Sequence, residues 1–431
     1  MTSDIETTSS AWQASASSKV RWRLLPFLIL CYFAAYLDRV NIGFAALTMN
    51  ADLGIDAKAF GFIAGIFFLG YCLFEVPSNV LLARFGARVW IARIMVTWAL
   101  VSAATAFATD VWSLSILRFM LGVAEAGFFP GIIFYLTRWV PASERAAVVA
   151  IFMAAVPISN LIGAPVSGLI LDGFDGVMEL KGWQWLFLIE AAPSLILGIA
   201  AYRILDDSPA TAAWLQPEER AALSRTIAKE TEARERERRT TLREALSDPR
   251  VIALGFVYFG IVAGMYGLTF WLPQIVKGFG LSNKTTGFVT AIPYLFAVLA
   301  MVAWGARSDR QNERIVHIVL PCACGAVTLA VGAFISTPAL AFIFLTLSAM
   351  CIFSALPTFW TLPTALLTGA AAAGGIALVN SIGNVGGFIG PYLIGWIKGH
   401  GLSSELAVAS LAVFLVISAV LVRLVGSAPR Q

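Results

Sequence analysis

Residues 22–44 read WRLLPFLILCYFAAYLDRVNIGF, an apolar run long enough to cross a lipid bilayer as one helix. Apart from Arg23 at its start, this run contains two charged residues, Asp38 and Arg39, which lie well inside it. A charge in the hydrocarbon costs roughly 2.5–3.5 kcal/mol on insertion scales, so it needs a partner and usually has a task. The segment therefore predicts a membrane protein with functional charges inside the bilayer.

Apolar segments of similar length recur along the whole chain. They lie at residues 59–82, 90–108, 112–137, 146–171 and 184–204, and after a polar break at 251–276, 285–305, 314–335, 338–361, 372–397 and 402–425. The composition agrees, because 59% of the 431 residues are hydrophobic and 13% are charged, against about 25% charged in soluble domains. We predict an all-α membrane protein with twelve transmembrane helices in two six-helix bundles.

The polar stretches divide the chain into four parts. Residues 1–18 are rich in Ser, Thr and Ala and predict a disordered cytoplasmic tail. Residues 19–205 would form the N-terminal bundle, 206–250 a cytoplasmic central loop and 251–426 the C-terminal bundle. Lys and Arg are concentrated in the central loop and in alternate short loops, which places those loops and both termini in the cytoplasm.

Few charges fall well inside the apolar segments. They are Asp38, Arg39, Glu75, Arg118, Glu125 and Glu190. All of them belong to the first half of the chain. The sequence thus places the charged chemistry in the N-terminal bundle, with the C-terminal bundle supplying aromatic, amide and hydroxyl groups.

The depth of each charge suggests its partner. At 1.5 Å per residue, Asp38 and Arg118 lie at one level, Glu125 lies deeper, and Arg39 faces a neighbouring side. We therefore expect Arg118 to be the charge partner of Asp38. The planar guanidinium of Arg39 suits a substrate carboxylate, and the carboxyls of Asp38 and Glu125 are candidate proton-coupling groups. The alternative is that these residues form buried ion pairs that only fix helix packing.

Further polar side chains are candidates for substrate binding. Tyr71, Trp360 and Asn384 lie within apolar segments and can donate hydrogen bonds to a carboxylate, although polar residues also join membrane helices without binding a ligand. Glu75 precedes a proline near the inner end of the second helix. We predict a structural role for it, in a bond to the following loop or to Arg84.

Two basic loops resemble the signature G-x-L-a-D-r-x-G-r-[RK] of the major facilitator superfamily. They occupy residues 79–88 and 305–314, after the second and eighth helices. The retained charged residues are Arg84 and Arg88 in the first loop and Asp309, Arg310 and Arg314 in the second. The first loop has Ala83 in place of the acid, which weakens its inferred charge latch. The resemblance implies that both are gating loops.

Three further motifs are similar to the anion:cation symporter branch of that superfamily. They are residues 37–43, 74–79 and 118–131, and the resemblance extends over residues 20–425. Members of the branch carry tartrate, phthalate, hydroxyphenylacetate and sugar acids. The resemblance implies proton-coupled symport of an organic carboxylate by alternating access, with a tartrate-like or sugar acid favoured, in a bacterial inner membrane. It also supports the roles given to Asp38, Arg39, Arg118 and Glu125.

Other functions remain as alternatives. A proton-coupled importer of aromatic acids and an uncoupled carboxylate facilitator or exchanger both fit the same motifs. The sequence lacks the residue spacing of a catalytic triad or a phosphate-binding loop, so we expect no enzyme. Two histidines and no cluster of ligands predict no metal site and no cofactor beyond the proton gradient. The expected partners are a small organic anion, protons and the lipid bilayer, with no nucleic acid, and the protein is expected to be a monomer.

Overall fold

Long apolar helices make up the protein. The structure is a computed structural model that describes residues 2–236, 247–366 and 369–427. In the first half the helices are α1 (Thr2–Asp52), α2 (Ala57–Phe85), α3 (Ala87–Thr105), α4 (Val111–Glu125), α5 (Phe128–Trp139), α6 (Ala142–Met153), α7 (Ala155–Gly173), α8 (Gly182–Ile204) and α9 (Pro217–Arg236). In the second half they are α10 (Pro249–Lys277), α11 (Asn283–Gln311), α12 (Val316–Ala333), α13 (Pro338–Leu366), α14 (Gly369–Gly399), α15 (Ser404–Ala409) and α16 (Leu411–Ser427).

Twelve helical stretches in the described residues are long and apolar enough to cross a membrane. Three of them differ from the straight helices that the sequence predicts. The fourth span is broken between α4 and α5, the fifth between α6 and α7, and the last is divided into α15 and α16. The core of the protein consists of the apolar faces that these helices turn towards one another.

Short polar side chains fix where several helices begin. Asp56 accepts a hydrogen bond from the Ala59 backbone N–H at 2.7 Å and so caps α2. Asp110 accepts from the Ser113 N–H at 2.7 Å, while the Ser113 hydroxyl bonds back to the Asp110 N–H at 3.1 Å. Such caps satisfy N–H groups that have no partner within the helix. They set the helix starts near the ends of the apolar runs.

The first helix extends through the segment for which we predicted a disordered tail. Ser15 and Lys19 donate to the carboxylate of Glu219 on α9, at 2.7 and 2.9 Å. Burial raises the pKa of Glu219, but hydrogen bonds from Lys19, the Gln216 backbone N–H and Ser15 outweigh it and hold that pKa below its usual value. Ser15 and Lys19 thus have a partner on α9, which holds this part of α1 against that helix.

The two halves pack against each other mainly through three helix pairs. These pairs are α2 with α14, α7 with α11 and α1 with α10. At the ends predicted to face outward, small residues allow close approach: a Cβ atom on Gly168 would lie 2.7 Å from the Asn283 carbonyl oxygen. Asp172 accepts from the Asn283 amide and from the Lys284 backbone N–H, both at 2.8 Å. The carboxylate of one half therefore caps the first turn of a helix in the other half.

Aromatic rings meet between the halves closer to the predicted inner face. Phe129 on α5 and Trp360 on α13 have ring centroids 6.3 Å apart, and Trp360 also contacts Tyr258 on α10 at 4.9 Å. A central cavity lies between the two sets of contacts.

Candidate functional site

A cavity between the two halves is lined by polar groups from both of them. Its polar lining is Tyr32, Tyr36, Arg39 and Tyr71 from the first half and Tyr258, Tyr266, Asn380 and Asn384 from the second. Its volume is about 30 Å³, which is room for water but not for an organic acid. The cavity therefore has to widen before it can hold a substrate. Its charge comes from the first half and its neutral polar groups from both, in agreement with the predicted division.

Arg39 is the charged group of this cavity, and it contacts both halves. Its Nη2 forms an ion pair with Oε1 of Glu125. Its Nη1 donates to the Tyr266 hydroxyl at 2.7 Å, and Tyr266 donates to Tyr36 at 3.0 Å. The guanidinium also lies over the Tyr36 ring, 4.7 Å from its centroid. Arg39 thus joins a carboxylate of its own half to a hydroxyl of the other.

The expected pairing of Asp38 with Arg118 is wrong. No ion pair joins these two residues in the structure, and the ion pair of the site is instead that of Arg39 with Glu125. Consecutive residues of a helix point about 100° apart, so Asp38 and Arg39 face different neighbours. The long side chain of Arg39 spans the difference in depth that separates it from Glu125.

Asp38 lies in a cage of neutral donors within the first half. Its Oδ2 accepts from the Trp98 indole N–H at 3.1 Å and from the Ser194 hydroxyl, and its Oδ1 accepts from Ser102 at 2.7 Å. The side chain is buried and does not line the cavity. Asp38 therefore connects α1 to α3 and α8, and any effect of its protonation would reach the cavity through helix packing or through its neighbour Arg39.

Arg118 is fully buried beside the Arg39 backbone. Its Nη2 donates to the Arg39 carbonyl oxygen at 3.2 Å, and its guanidinium lies 5.5 Å from the centroid of the Phe67 ring. In the described part of the chain no carboxylate lies within ion-pair distance of it, and its Nε and Nη1 have no hydrogen-bond partner. Arg118 is a buried cation that adds positive charge next to the Arg39–Glu125 pair.

A break in the fourth span positions Glu125. Glu125 is the last residue of α4, and the chain turns at Ala126 and Gly127 before α5 begins. Gly127 has φ of +84°, and a Cβ atom there would lie 2.5 Å from the Ser78 hydroxyl. A glycine is required because it alone adopts this conformation without strain and leaves room for α2. The break sets the carboxylate at a helix end, facing Arg39.

The other predicted substrate-binding residues take two different positions. Tyr71 and Asn384 line the cavity, on α2 and α14. Trp360 does not line it. Its ring instead packs against Phe129 and Tyr258, which do. Trp360 thus supports one wall of the cavity, and a substrate would meet it only after that wall moves.

Glu75 is not bonded to the following loop or to Arg84, and that prediction is wrong. Its Oε1 accepts from the Asn380 amide and its Oε2 from the Ser381 hydroxyl at 3.1 Å, both on α14 of the other half. The side chain is 1% exposed. Glu75 therefore bridges the halves one helical turn from Tyr71. The remaining membrane carboxyl, Glu190, accepts from Ser167 at 2.7 Å within the first half.

The two signature loops differ in their contacts. In the first loop Arg84 lies over the Phe85 ring, while Arg88 donates to the Tyr202 carbonyl oxygen at 2.6 Å. Ala83 stands where the signature has an acid, and Asp207 supplies a carboxylate near this loop by accepting from the Arg88 backbone N–H at 3.0 Å. A side chain from another loop thus supplies the negative charge at the start of α3.

The second loop keeps its own acid. Arg314 forms an ion pair with Asp309 and donates to the Ser308 hydroxyl at 2.9 Å, while Arg310 is exposed. The Ser308 hydroxyl in turn donates to the Glu313 carbonyl oxygen at 2.6 Å. These bonds hold the turn between α11 and α12 in one conformation.

Sequence reasoning did not select Tyr266, Asp207 or Asn380 as site residues. Tyr266 is a neutral residue in an apolar segment, so no charge marks it. Asp207 follows the sixth span by a few residues and has no signature of its own. Asn380 belongs to a glycine-rich run with Asn384, and the signal that could have selected it is the spacing of four residues, which places both amides on one helix face.

Comparison with known proteins assigns the family. A model described as Major Facilitator Superfamily matches residues 28–391. The chain belongs to the major facilitator superfamily. It is therefore a secondary transporter of a small molecule and not an enzyme, and the predicted fold of twelve membrane helices is confirmed.

Two relatives cover nearly the whole of this transporter. A protein of Agrobacterium vitis named "Putative tartrate transporter" is 52% identical over 409 residues, which is 95% of this chain and 91% of the relative. The inner membrane transport protein RhmT of Escherichia coli is 37% identical over 388 residues, 89% of each chain. These relatives agree with the resemblance to the anion:cation symporter branch.

A solved structure shows the same fold. A bacterial homologue of the human lysosomal transporter Spinster, in an inward-facing and occupied conformation, superposes with a TM-score of 0.74. It is 18% identical and covers 95% of this transporter and 97% of its own chain. At this identity the match supports the architecture and carries no information on the substrate.

Proposed function

We propose that this transporter is a proton-coupled symporter that imports an organic carboxylate, with a tartrate-like or sugar acid favoured. The observation that supports this proposal is the ion pair of Arg39 with Glu125 beside the central cavity. The fork of Arg39 can hold one carboxylate of the substrate or the carboxylate of Glu125. Competition for one cation couples the binding of a proton to the binding of the anion.

The proposed cycle begins with protonation of Glu125. Neutralising this carboxyl removes the charge that holds Nη2 of Arg39, and the guanidinium becomes available to the cavity. A substrate carboxylate then takes the place of Glu125, so that proton and substrate occupy the site together. Release on the other side returns the proton to water and restores the ion pair. An empty site with Glu125 ionised and an occupied site with Glu125 neutral carry similar charge, which limits the cost of moving each through the bilayer.

Asp38 has a second role in this proposal. It does not compete for Arg39, because its oxygens are held by Trp98, Ser102 and Ser194. The indole N–H can only donate, and a protonated carboxyl oxygen is a poorer acceptor than an ionised one, so a proton on the facing oxygen of Asp38 would weaken that bond. Protonation of Asp38 would thus loosen α1 from α3 and α8 and shift the residue that follows it, Arg39.

The cavity offers charge for one carboxylate and neutral donors for the rest of the substrate. Arg118 is buried behind the Arg39 backbone and does not line the cavity. A second carboxylate would therefore be held by hydroxyl and amide groups such as those of Tyr71 and Asn384. This arrangement favours a substrate whose remaining polar groups form hydrogen bonds, as those of a hydroxy acid do.

The proposed setting is the inner membrane of a bacterium, with both termini in the cytoplasm and the protein acting as a monomer. Its support is the distribution of Lys and Arg among the loops and the name of the relative RhmT. Tartrate is favoured by the name of the A. vitis relative. Aromatic acids are the second candidate because the cavity is lined by several tyrosines.

The test uses purified protein in liposomes that enclose a pH-sensitive dye. Tartrate, glucarate, galactonate, phthalate and 4-hydroxyphenylacetate are added outside in turn. We expect internal acidification with a hydroxy acid, and its loss in Asp38→Asn. Acidification with phthalate alone would replace the hydroxy acid by an aromatic one. Entry of labelled substrate without proton movement would replace symport by facilitated diffusion or exchange.

A further inference from the structure

The contact of Glu75 with α14 fixes one amide of the cavity. Asn380 lines the cavity, and its Nδ2 donates to Oε1 of Glu75. The second carboxylate oxygen accepts from the Ser381 hydroxyl at 3.1 Å. Asn380 and Glu75 are buried and Ser381 is partly so, which excludes water as an easy substitute. The contact therefore determines how the Asn380 side chain is oriented.

The orientation follows from the chemistry of the two groups. In the structure Asn380 turns its amide nitrogen towards Glu75, and an ionised carboxylate, which accepts hydrogen bonds and donates none, favours this orientation. The side-chain carbonyl oxygen then becomes the Asn380 group available to the cavity. The reverse orientation would set two acceptors against each other inside the membrane, at the cost of an unsatisfied buried group.

The cavity has two amides in its lining, Asn380 and Asn384, whose carbonyl oxygens can accept, and Asn380 is the one that Glu75 orients. Its other polar groups include the guanidinium of Arg39 and several tyrosine hydroxyls, all of which can donate to a carboxylate. A hydroxyl group of a substrate also has to donate its own hydrogen. An amide carbonyl held in place is suited to receive it.

We propose that Glu75 is a positioning residue that orients Asn380, so that the Asn380 carbonyl oxygen accepts a hydrogen bond from a hydroxyl group of the substrate. The transported acid would then carry its carboxylate on Arg39 of the first half and a hydroxyl on α14 of the second. This inference rests on the proposed function and narrows its substrate class to hydroxylated carboxylates.

The same contact could serve only to join the two halves. The two roles differ in what they predict for substrates with and without hydroxyl groups. A structural contact affects the uptake of every substrate by the same factor. An orienting contact changes the ratio between a hydroxy acid and its deoxy analogue, because the analogue never used the oriented acceptor.

The experiment compares tartrate, malate and succinate, which carry two, one and no hydroxyl groups on the same four-carbon diacid. Uptake kcat/KM is measured in proteoliposomes for the wild type, Glu75→Ala, Glu75→Gln and Asn380→Ala. We expect the wild type to favour tartrate over succinate at least tenfold, and Glu75→Ala to reduce this ratio about five- to tenfold, as for one lost hydrogen bond. Glu75→Gln retains a carbonyl for the Asn380 amide and should keep the ratio within about threefold.

Two controls separate orientation from damage. Asp172→Ala removes another hydrogen-bonded contact between the halves, far from the cavity, and should change tartrate and succinate uptake by one factor. The double variant Glu75→Ala with Asn380→Ala should lower the ratio no further than either single change, because both remove the same acceptor. Fluorescence-detected gel filtration checks that each variant folds. If Glu75→Ala does not fold, the single variants Glu75→Gln and Asn380→Ala are compared with each other.

An unchanged ratio in Glu75→Ala and Asn380→Ala would overturn the inference and leave proton-coupled carboxylate transport in place. Equal kcat/KM of the wild type for tartrate and succinate would do the same. If the wild type moves no carboxylate in the wider panel, the proposed function fails first, and the inference fails with it.

Discussion

Replacing Glu125 by Gln should separate substrate binding from proton binding. Glutamine has the shape of a protonated glutamate, so Arg39 in the variant is released as it would be after proton uptake. In the wild type, every rise in pH that ionises Glu125 restores its ion pair with Arg39 and lowers substrate affinity. Substrate should therefore bind the wild type more weakly at higher pH, and its affinity for Glu125→Gln should not depend on pH in this way.

The size of the effect follows from the exchange of one proton. If only the protonated form binds substrate, the apparent Kd approaches a tenfold rise per pH unit, or about 1.36 kcal/mol, at pH values above the pKa of Glu125, where this carboxyl is mostly ionised. One proton carried with each substrate likewise allows about tenfold accumulation per unit of pH gradient. In Glu125→Gln we expect a Kd that does not change with pH and a ratio of internal to external substrate near one.

Two assays in liposomes measure the two halves of this prediction. Uptake of labelled tartrate under an inward proton gradient reports accumulation, and counterflow against unlabelled tartrate without a gradient reports binding and exchange. Glu125→Gln should lose the first and keep the second. Glu190→Gln is the matched control, because it removes a carboxylate of the same half that bonds Ser167 and not Arg39. Accumulation by Glu125→Gln as strong as that of the wild type would refute the coupling role of the ion pair.

Three further changes test the packing that surrounds the site. Asp172→Ala removes the two hydrogen bonds that join the halves at the predicted outer face. A cysteine placed at Met265 in the cavity should then react with a thiol reagent added outside at least several-fold faster than the same cysteine in a protein that keeps Asp172. An unchanged rate would mean that this contact does not hold the outer face closed. Gly122→Ala puts a Cβ atom 1.9 Å from a backbone oxygen of α2 and should lower the free energy of unfolding by about 1–3 kcal/mol in a thermal-unfolding assay. Gly305→Ala is the control, because a Cβ atom there has nothing within 4 Å, and it should leave the melting temperature unchanged or slightly raised. Because the pKa of Glu219 is held below its usual value, the contribution of this carboxylate to stability is present near neutral pH and is lost as the pH falls through that lowered pKa. Glu219→Ala should therefore lower the melting temperature at pH 7 and make little difference at acid pH. An equal effect at both pH values would contradict this reasoning.

The sequence predicts the membrane spans well because their signal is local. A run of about 20 apolar residues is visible without knowledge of its neighbours, and twelve such runs agree with the structure. The intramembrane charges are visible for the same reason. The aromatic and amide groups of the second half could be expected near the cavity because few other polar groups exist there.

The pairing of those charges could not be predicted in the same way. Depth along a helix follows from residue number, but the direction of a side chain depends on how each helix is rotated and where it bends. The break after Glu125 and the reach of Arg39 together decide the ion pair, and neither follows from spacing at 1.5 Å per residue. The partner of Glu75 lies in the other half of the chain, about 300 residues away, where no local pattern points to it.

The docking of α9 on the first helix changes where the chain can be divided. Ser15 and Lys19 hold α9 through Glu219, so this helix belongs physically to the first half even though it follows the sixth span. A chimera that exchanges halves between related transporters should therefore be joined after Arg236 and not after Leu205. A junction at the earlier point would pair an N-terminal helix from one parent with an α9 from the other, and such hybrids would test whether the two segments have evolved as a matched set.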